Sequence, residues 1–226
     1  MNWKEIKVSD CETYFTYKGK KLFNKIFKKV MKFHAEGFAP VCDENGWYHI
    51  DMNGNELYSE RYYKTYGFYC NRAVVLETEN KGFHINITGK RVYQQYYIWL
   101  GNYQGNLCTV KDADNNYFHI DLQGNKVYKK TYKYVGDFKD GIACIMFYDN
   151  TFTHILPNGE YLHNKRFKDL GVFHKGFAIA KDEKGWFHID KQGNEIYKKR
   201  YALIEPFYND VAFAEDFNGE KTWIKL

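Results

Sequence analysis

A histidine–isoleucine pair followed by glycine recurs along this chain: His49-Ile50 with Gly54, His84-Ile85 with Gly89, His119-Ile120 with Gly124, His154-Ile155 with Gly159 and His188-Ile189 with Gly193. Successive histidines lie 35, 35, 35 and 34 residues apart. The register reaches Tyr14 with Gly19 at one end and Trp223-Ile224 at the other. A fixed period of this size means that each unit is one supersecondary element, too small to bury its own apolar face, which must stack on its neighbours.

The segment from Gly176 to Phe207 shows the unit most clearly. Phe177–Lys181 and Trp186–Asp190 read as strands separated by a turn at Asp182-Glu183-Lys184-Gly185. A second tight turn at Lys191-Gln192-Gly193-Asn194 leads to a third strand, Glu195–Tyr201, and a short fourth within Ala202–Phe207. Strands of about five residues between Gly, Asn and Asp turns make an all-β repeat protein. Other columns keep the register. Phe33, Phe68, Tyr103, Phe138, Phe173 and Phe207 precede the small residues Ala39, Ala73, Cys108, Ala143, Ala178 and Ala212. Rings four apart mark the third strands: Phe23/Phe27, Tyr58/Tyr62, Tyr93/Tyr97, Tyr128/Tyr132, His163/Phe167 and Tyr197/Tyr201.

Six cycles and a C-terminal half-unit of two strands account for residues 1–226, with no linker between them, so one repeat domain is expected. The units can close as a β-propeller or stack as an open β-solenoid. The propeller is favoured because neither end reads as a more polar cap.

Composition narrows the function. Aromatic residues make up 19% of the chain, with 21 Tyr and 18 Phe, which suits half-buried pleated surfaces. No apolar run approaches the roughly 18 residues of a membrane span, and the N-terminus lacks a secretory core, so no membrane role is expected. Cys11, Cys42, Cys70, Cys108 and Cys144 are odd in number and form no CxxC pair, which points to a reducing, cytoplasmic compartment. A net charge of +5 is only mildly basic.

The strings Gly46-Trp47-Tyr48-His49-Ile50-Asp51 with Gly54-Asn55, and Gly185-Trp186-Phe187-His188-Ile189-Asp190 with Gly193-Asn194, resemble the WG-repeat family, also called KWG repeats. The resemblance covers essentially the whole chain. Its middle departs from the pattern, with Gly82, Tyr117 and Phe152 at the tryptophan position and Asn86 and Leu156 at the aspartate position. It implies a β-rich binding or scaffolding region and supplies no catalytic signature.

The column histidines invite a metal reading. On a strand, however, Trp186, His188 and Asp190 share one face, and a His–Asp pair two apart is suited to satisfying buried polar groups. Ligands for one ion must converge within about 2.0–2.2 Å of it, and residues one repeat apart do not, so no metal is expected. Candidate binding residues lie outside the histidine column: Trp99 before Gly101, and His34, His163 and His174. Lysines in the third strands, Lys129, Lys130, Lys198 and Lys199, could form a positive rim. Ser59-Glu60-Arg61 and Gln94-Gln95 interrupt that rim, and a solvated anti-aggregation edge is the favoured explanation of it.

There is no nucleophile elbow, no thiol beside an expected base and no glycine-rich phosphate loop, so neither catalytic residues nor a cofactor is expected. The expected function is non-catalytic recognition or scaffolding of a protein or peptide. Binding of nucleic acid or carbohydrate is the alternative, and an enzyme site at one end of the repeats ranks third.

Overall fold

In the computed structural model, which describes residues 1–226, seven three-stranded sheets follow one another along the chain. The first is built from Ile6–Val8, Phe15–Tyr17 and Lys20–Leu22, and the second from Lys29–Val30, Phe38–Asp43 and Gly46–Asp51. Lys64–Tyr69, Arg72–Thr78 and Lys81–Asn86 form the third, and Trp99–Leu100, Cys108–Lys111 and Tyr117–Ile120 the fourth. The fifth comprises Tyr134–Val135, Ala143–Met146 and Phe152–Ile155, and the sixth Asp169–Leu170, Ala178–Asp182 and Gly185–Ile189. Leu203–Ile204, Val211–Glu215 and Lys221–Lys225 make the seventh. One 3₁₀ turn, Trp3–Glu5, is the only helical element. The all-β repeat reading holds, and the C-terminal half-unit does supply its two strands.

Two boundaries differ from expectation. Glu195–Tyr201 is not a continuous strand: it is pinned to Gly185–Ile189 only at its ends, by the bridges Ile189↔Glu195 and Trp186↔Tyr201. The same two-point attachment recurs at Glu56 and Tyr62, Arg91 and Tyr97, Lys126 and Tyr132, and Tyr161 and Phe167. Between the pins the chain turns its paired rings inward, so ladder pairing is given up for ring burial. Leu203–Ile204 then opens the next sheet rather than closing its own repeat. Each repeat is therefore three strands and a fourth, bridged segment.

The Gly-Trp string has a steric cause. Gly46 and Gly185 have φ of +136° and +134°, and a Cβ there would lie 2.7 Å from the Tyr62 carbonyl oxygen and 2.6 Å from that of Tyr201. Glycine lets the fourth segment close onto the strand, and the next residue holds it: Trp47 and Trp186 donate their N–H to those same oxygens at 2.8 and 2.9 Å.

Backbone proximity divides the chain into two compact bodies: Met1–Asn115 with His119–Lys126, and Asn116–Phe118 with Val127–Leu226. In the first, Phe15, Val30, Phe33, Ala39, Val41, Tyr48 and Ile50 form one buried cluster. In the second, Leu170, Phe173, Ala178, Ala180, Phe187 and Ile189 form another, with Tyr201, Ile204 and Ala214 beside the last sheet. The two end sheets are unlike. A shallow face of the first carries Lys4, Lys7, Thr16 and Lys18, whereas the seventh exposes Trp223 and Tyr208.

Candidate functional site

The histidine column is a repeated joint. His49 Nε2 lies 2.7 Å from the Tyr66 carbonyl oxygen, His84 Nε2 3.2 Å from that of Gly101, His154 Nε2 2.9 Å from that of Gly171 and His188 Nε2 2.9 Å from that of Glu205. A carbonyl only accepts, so Nε2 carries the proton and Nδ1 is the acceptor. The hydroxyls of Tyr58, Tyr93 and Tyr197 therefore donate to Nδ1 of His49, His84 and His188, at 2.6, 2.5 and 2.6 Å. One imidazole thus ties its own fourth segment to the chain entering the next sheet. Burial pushes His49, His84 and His154 down to about 4, against the opposing pull of the carbonyls they face, and it lowers His188 as well.

Asp51 does not pair with the histidine two residues before it. Its carboxylate accepts the N–H groups of Asn53 and Asn55 and the Asn55 side-chain amide, closing its own turn, and Asp190 repeats the arrangement. At the N-terminal end the register slips by one. Phe15, not Tyr14, takes the histidine's place: its ring lies 4.9 Å from Phe33, where His49 lies 4.7 Å from Phe68.

His163 belongs to this joint. It stands where the other units have tyrosine, and its Nε2 donates to His154 Nδ1 at 3.1 Å. Its own Nδ1 is left buried without a hydrogen-bond partner. His163→Tyr would supply the hydroxyl used elsewhere and remove that orphan. We expect about 1 kcal/mol of stabilisation, a rise in melting temperature of about 2–4 °C by calorimetry. A lower melting temperature would show that the two positions are not equivalent.

The remaining sequence candidates are scattered. The His34 ring packs on Tyr69 at 4.8 Å and over Gly67, where a Cβ would meet it at 2.1 Å. Trp99 opens the fourth sheet, paired with Lys111, and is 46% exposed. Lys130 lies 4.0 Å over the Tyr161 ring and Lys199 4.9 Å over Tyr201, Lys198 pairs with Glu195, and Lys129 is exposed. Lys130, Lys198 and Lys199 thus contact their own and the adjoining segments.

His163 lines a small cavity of about 230 Å³ with Phe147 and Tyr161, whereas His174 lines a larger cleft. Its ring stacks on Tyr208 with centroids 5.1 Å apart and planes 24° apart. Val172, Pro206, Phe213 and Trp223 complete an apolar wall, Lys139 and Glu205 bring charge to it, and the open cleft has a volume of about 750 Å³. Tyr208 is 68% exposed and Trp223 64%, although the histidines sharing Trp223's column are at most 1% exposed. Sequence reasoning missed this site. The available signal was the column itself, which ends in tryptophan where five histidines precede it.

The model of the WG-containing repeat matches residues 119–150 and 186–220. No curated protein matches the chain. Among solved structures, the computationally designed Ika8 protein is 14% identical, over 98% of this chain and 80% of that one, with a TM-score of 0.49. BamB from Moraxella catarrhalis is 12% identical, over 96% and 80%, with a TM-score of 0.42. The C-terminal WD40 domain of Sif2 is 10% identical, over 89% and 67%, with a TM-score of 0.45. Each matched window holds a column histidine and its glycine turn, His119 with Gly124 and His188 with Gly193, and residues 119–150 and 186–220 are thus similar to the WG-containing repeat.

Proposed function

We propose that the chain is a recognition or scaffolding module that binds a protein or peptide, with the His174–Tyr208 cleft as its contact surface. The observation that carries this reading is the grouping of exposed Val172, Tyr208 and Trp223 around one concavity. Contiguous apolar exposure is uncommon on soluble surfaces, and tyrosine and tryptophan in pockets dominate binding energies. The lysines favour a protein over nucleic acid, because Lys130, Lys198 and Lys199 are engaged locally rather than aligned as a phosphate track. In the same reading the chain is a single non-catalytic domain whose sheets close as a propeller, working in a cytoplasmic compartment where its five thiols stay free. No helix is long and apolar enough to cross a membrane.

The test is capture from native lysate, with and without nuclease, using the wild type and a Val172→Asp, Tyr208→Ala variant. A partner that survives nuclease and is lost about 30-fold or more in the variant is expected, as for a hot spot of about 2 kcal/mol. Capture abolished by nuclease, or indifferent to the variant, would overturn the assignment.

A further inference from the structure

Five repeats show what the outer edge of a third strand accepts. Trp47 exchanges both backbone hydrogen bonds with Tyr62 at 2.8 and 2.9 Å, and Leu57 N–H donates to the His49 carbonyl at 2.9 Å. Trp186 and Tyr201 do the same at 2.9 and 3.0 Å, with Ile196 N–H donating to the His188 carbonyl at 3.0 Å. The arriving segment carries aromatic residues four apart. Where arginine precedes the second ring it reaches an aspartate of the hairpin: Arg61 Nε donates to Asp43 at 3.0 Å and Arg200 Nε to Asp182 at 2.8 Å.

The seventh sheet has this edge and no segment on it. Lys221–Lys225 pairs with Val211–Glu215 on one side only, and no bridge reaches its other side. By the repeat period Lys221 corresponds to Trp186 and Trp223 to His188, so Lys221, Trp223 and Lys225 direct their backbone groups outward. Asp216, four residues after Ala212 as Asp182 is after Ala178, has no arginine. Its carboxylate accepts only the N–H groups of Asn218 and Glu220, at 2.8 and 2.9 Å.

We propose that this edge binds an extended peptide of a partner protein with the pattern Glu-Φ-Tyr-x-x-Arg-Tyr, where Φ is apolar. The peptide adds as the fourth segment, its arginine on Asp216 and its first tyrosine ring against Trp223. Strand addition supplies affinity through main-chain hydrogen bonds and specificity through alternate side chains. Charge fits this occupant: antiparallel addition brings the peptide's glutamate to Lys225 and its arginine to Asp216. A second copy joined through the same edge would oppose lysine to lysine. The proposal rests on the protein-recognition reading and names the chemistry of the partner.

The experiment is fluorescence anisotropy of a labelled peptide copying Glu195–Tyr201, titrated with the full chain. Saturable binding with a change in tryptophan emission is expected. Asp216→Asn in the protein and Arg→Ala in the peptide should each weaken binding about two- to fivefold, with little further loss when combined. Lys221→Pro removes the outward N–H that corresponds to the one Trp186 donates to Tyr201, at the first residue of an edge strand where proline is tolerated, and should abolish binding while leaving the circular dichroism unchanged. Equal binding of a scrambled peptide, no binding at millimolar concentration, or indifference to Asp216→Asn would overturn the proposal. Self-association through Trp223, seen by sedimentation, that the peptide does not displace would also overturn it. Because the capture experiment leaves this edge intact, a peptide failure beside a successful capture overturns only the edge assignment.

Discussion

Lowering the pH from 7 to 4.5 should remove most of the stability of this protein, well before its carboxylates protonate in bulk. Burial holds His49, His84 and His154 at about 4, whereas an unfolded histidine titrates near 6.5. The unfolded chain therefore takes up protons first. The stability these groups leave intact is complete above about pH 6.5 and is lost progressively as pH falls toward 4. At pH 4.5 each accounts for about 2–3 kcal/mol, so three together rival the 5–15 kcal/mol of a typical domain. His34, His163 and His188 are shifted in the same direction and add to the loss. Urea unfolding at pH 7, 6, 5 and 4.5, followed by tryptophan emission, should show the midpoint falling steeply. His84→Gln should be less stable at pH 7 yet lose less over the interval, because one titrating group is gone. A midpoint unchanged between pH 7 and 5 would contradict the joint as described.

Gly124→Ala should be among the most damaging additions of a single methyl group. Gly124 has φ of +86°, and a Cβ there would sit 2.2 Å from the Tyr93 ring, which is itself buried. The left-handed backbone costs an L-residue about 1–2 kcal/mol, and overpacking a filled site costs about 1–3 more. A total of about 3–4 kcal/mol corresponds to a fall in melting temperature of about 10 °C for a chain of this size. Gly19 is the internal control. Its φ is +77°, but nothing lies within 4 Å of the added methyl, so Gly19→Ala should cost only the backbone share. Equal losses in the two variants would show that ring contact does not set the requirement for glycine.

These two results also mark how far the sequence could be read. The period placed the sheets, because burial on a pleated strand repeats wherever neighbours stack, and Ala39, Ala178 and Ala212 are buried as that argument requires. What the histidines do was legible only in part. A buried role followed from their column, but the partner is Tyr58 or Tyr197 nine residues on, and the aspartate two residues away closes its own turn. That choice depends on how the fourth segment folds back, which no strand-level pattern encodes. The one-residue slip that installs Phe15 was hidden because Tyr14 matches the period perfectly. Sequence shows the charge of Lys130, Lys198 and Lys199 and not the rings and carboxylate beside them. The cleft was missed because Phe213 and Trp223 sit in columns that elsewhere mean core. Here Trp223 is exposed, and Tyr208 lies exposed beside it.

The histidine joint also bears on how the chain is made. Each imidazole finds its tyrosine nine residues downstream and its carbonyl seventeen residues downstream, at His49, His84 and His188 alike. Nothing in such a joint waits for a distant part of the sequence. At a synthesis rate of about 5–20 residues per second, each would be complete about one to three seconds after its histidine is added. The protein can therefore fold in the order in which it leaves the ribosome, with little time for an unfinished sheet edge to meet a wrong partner.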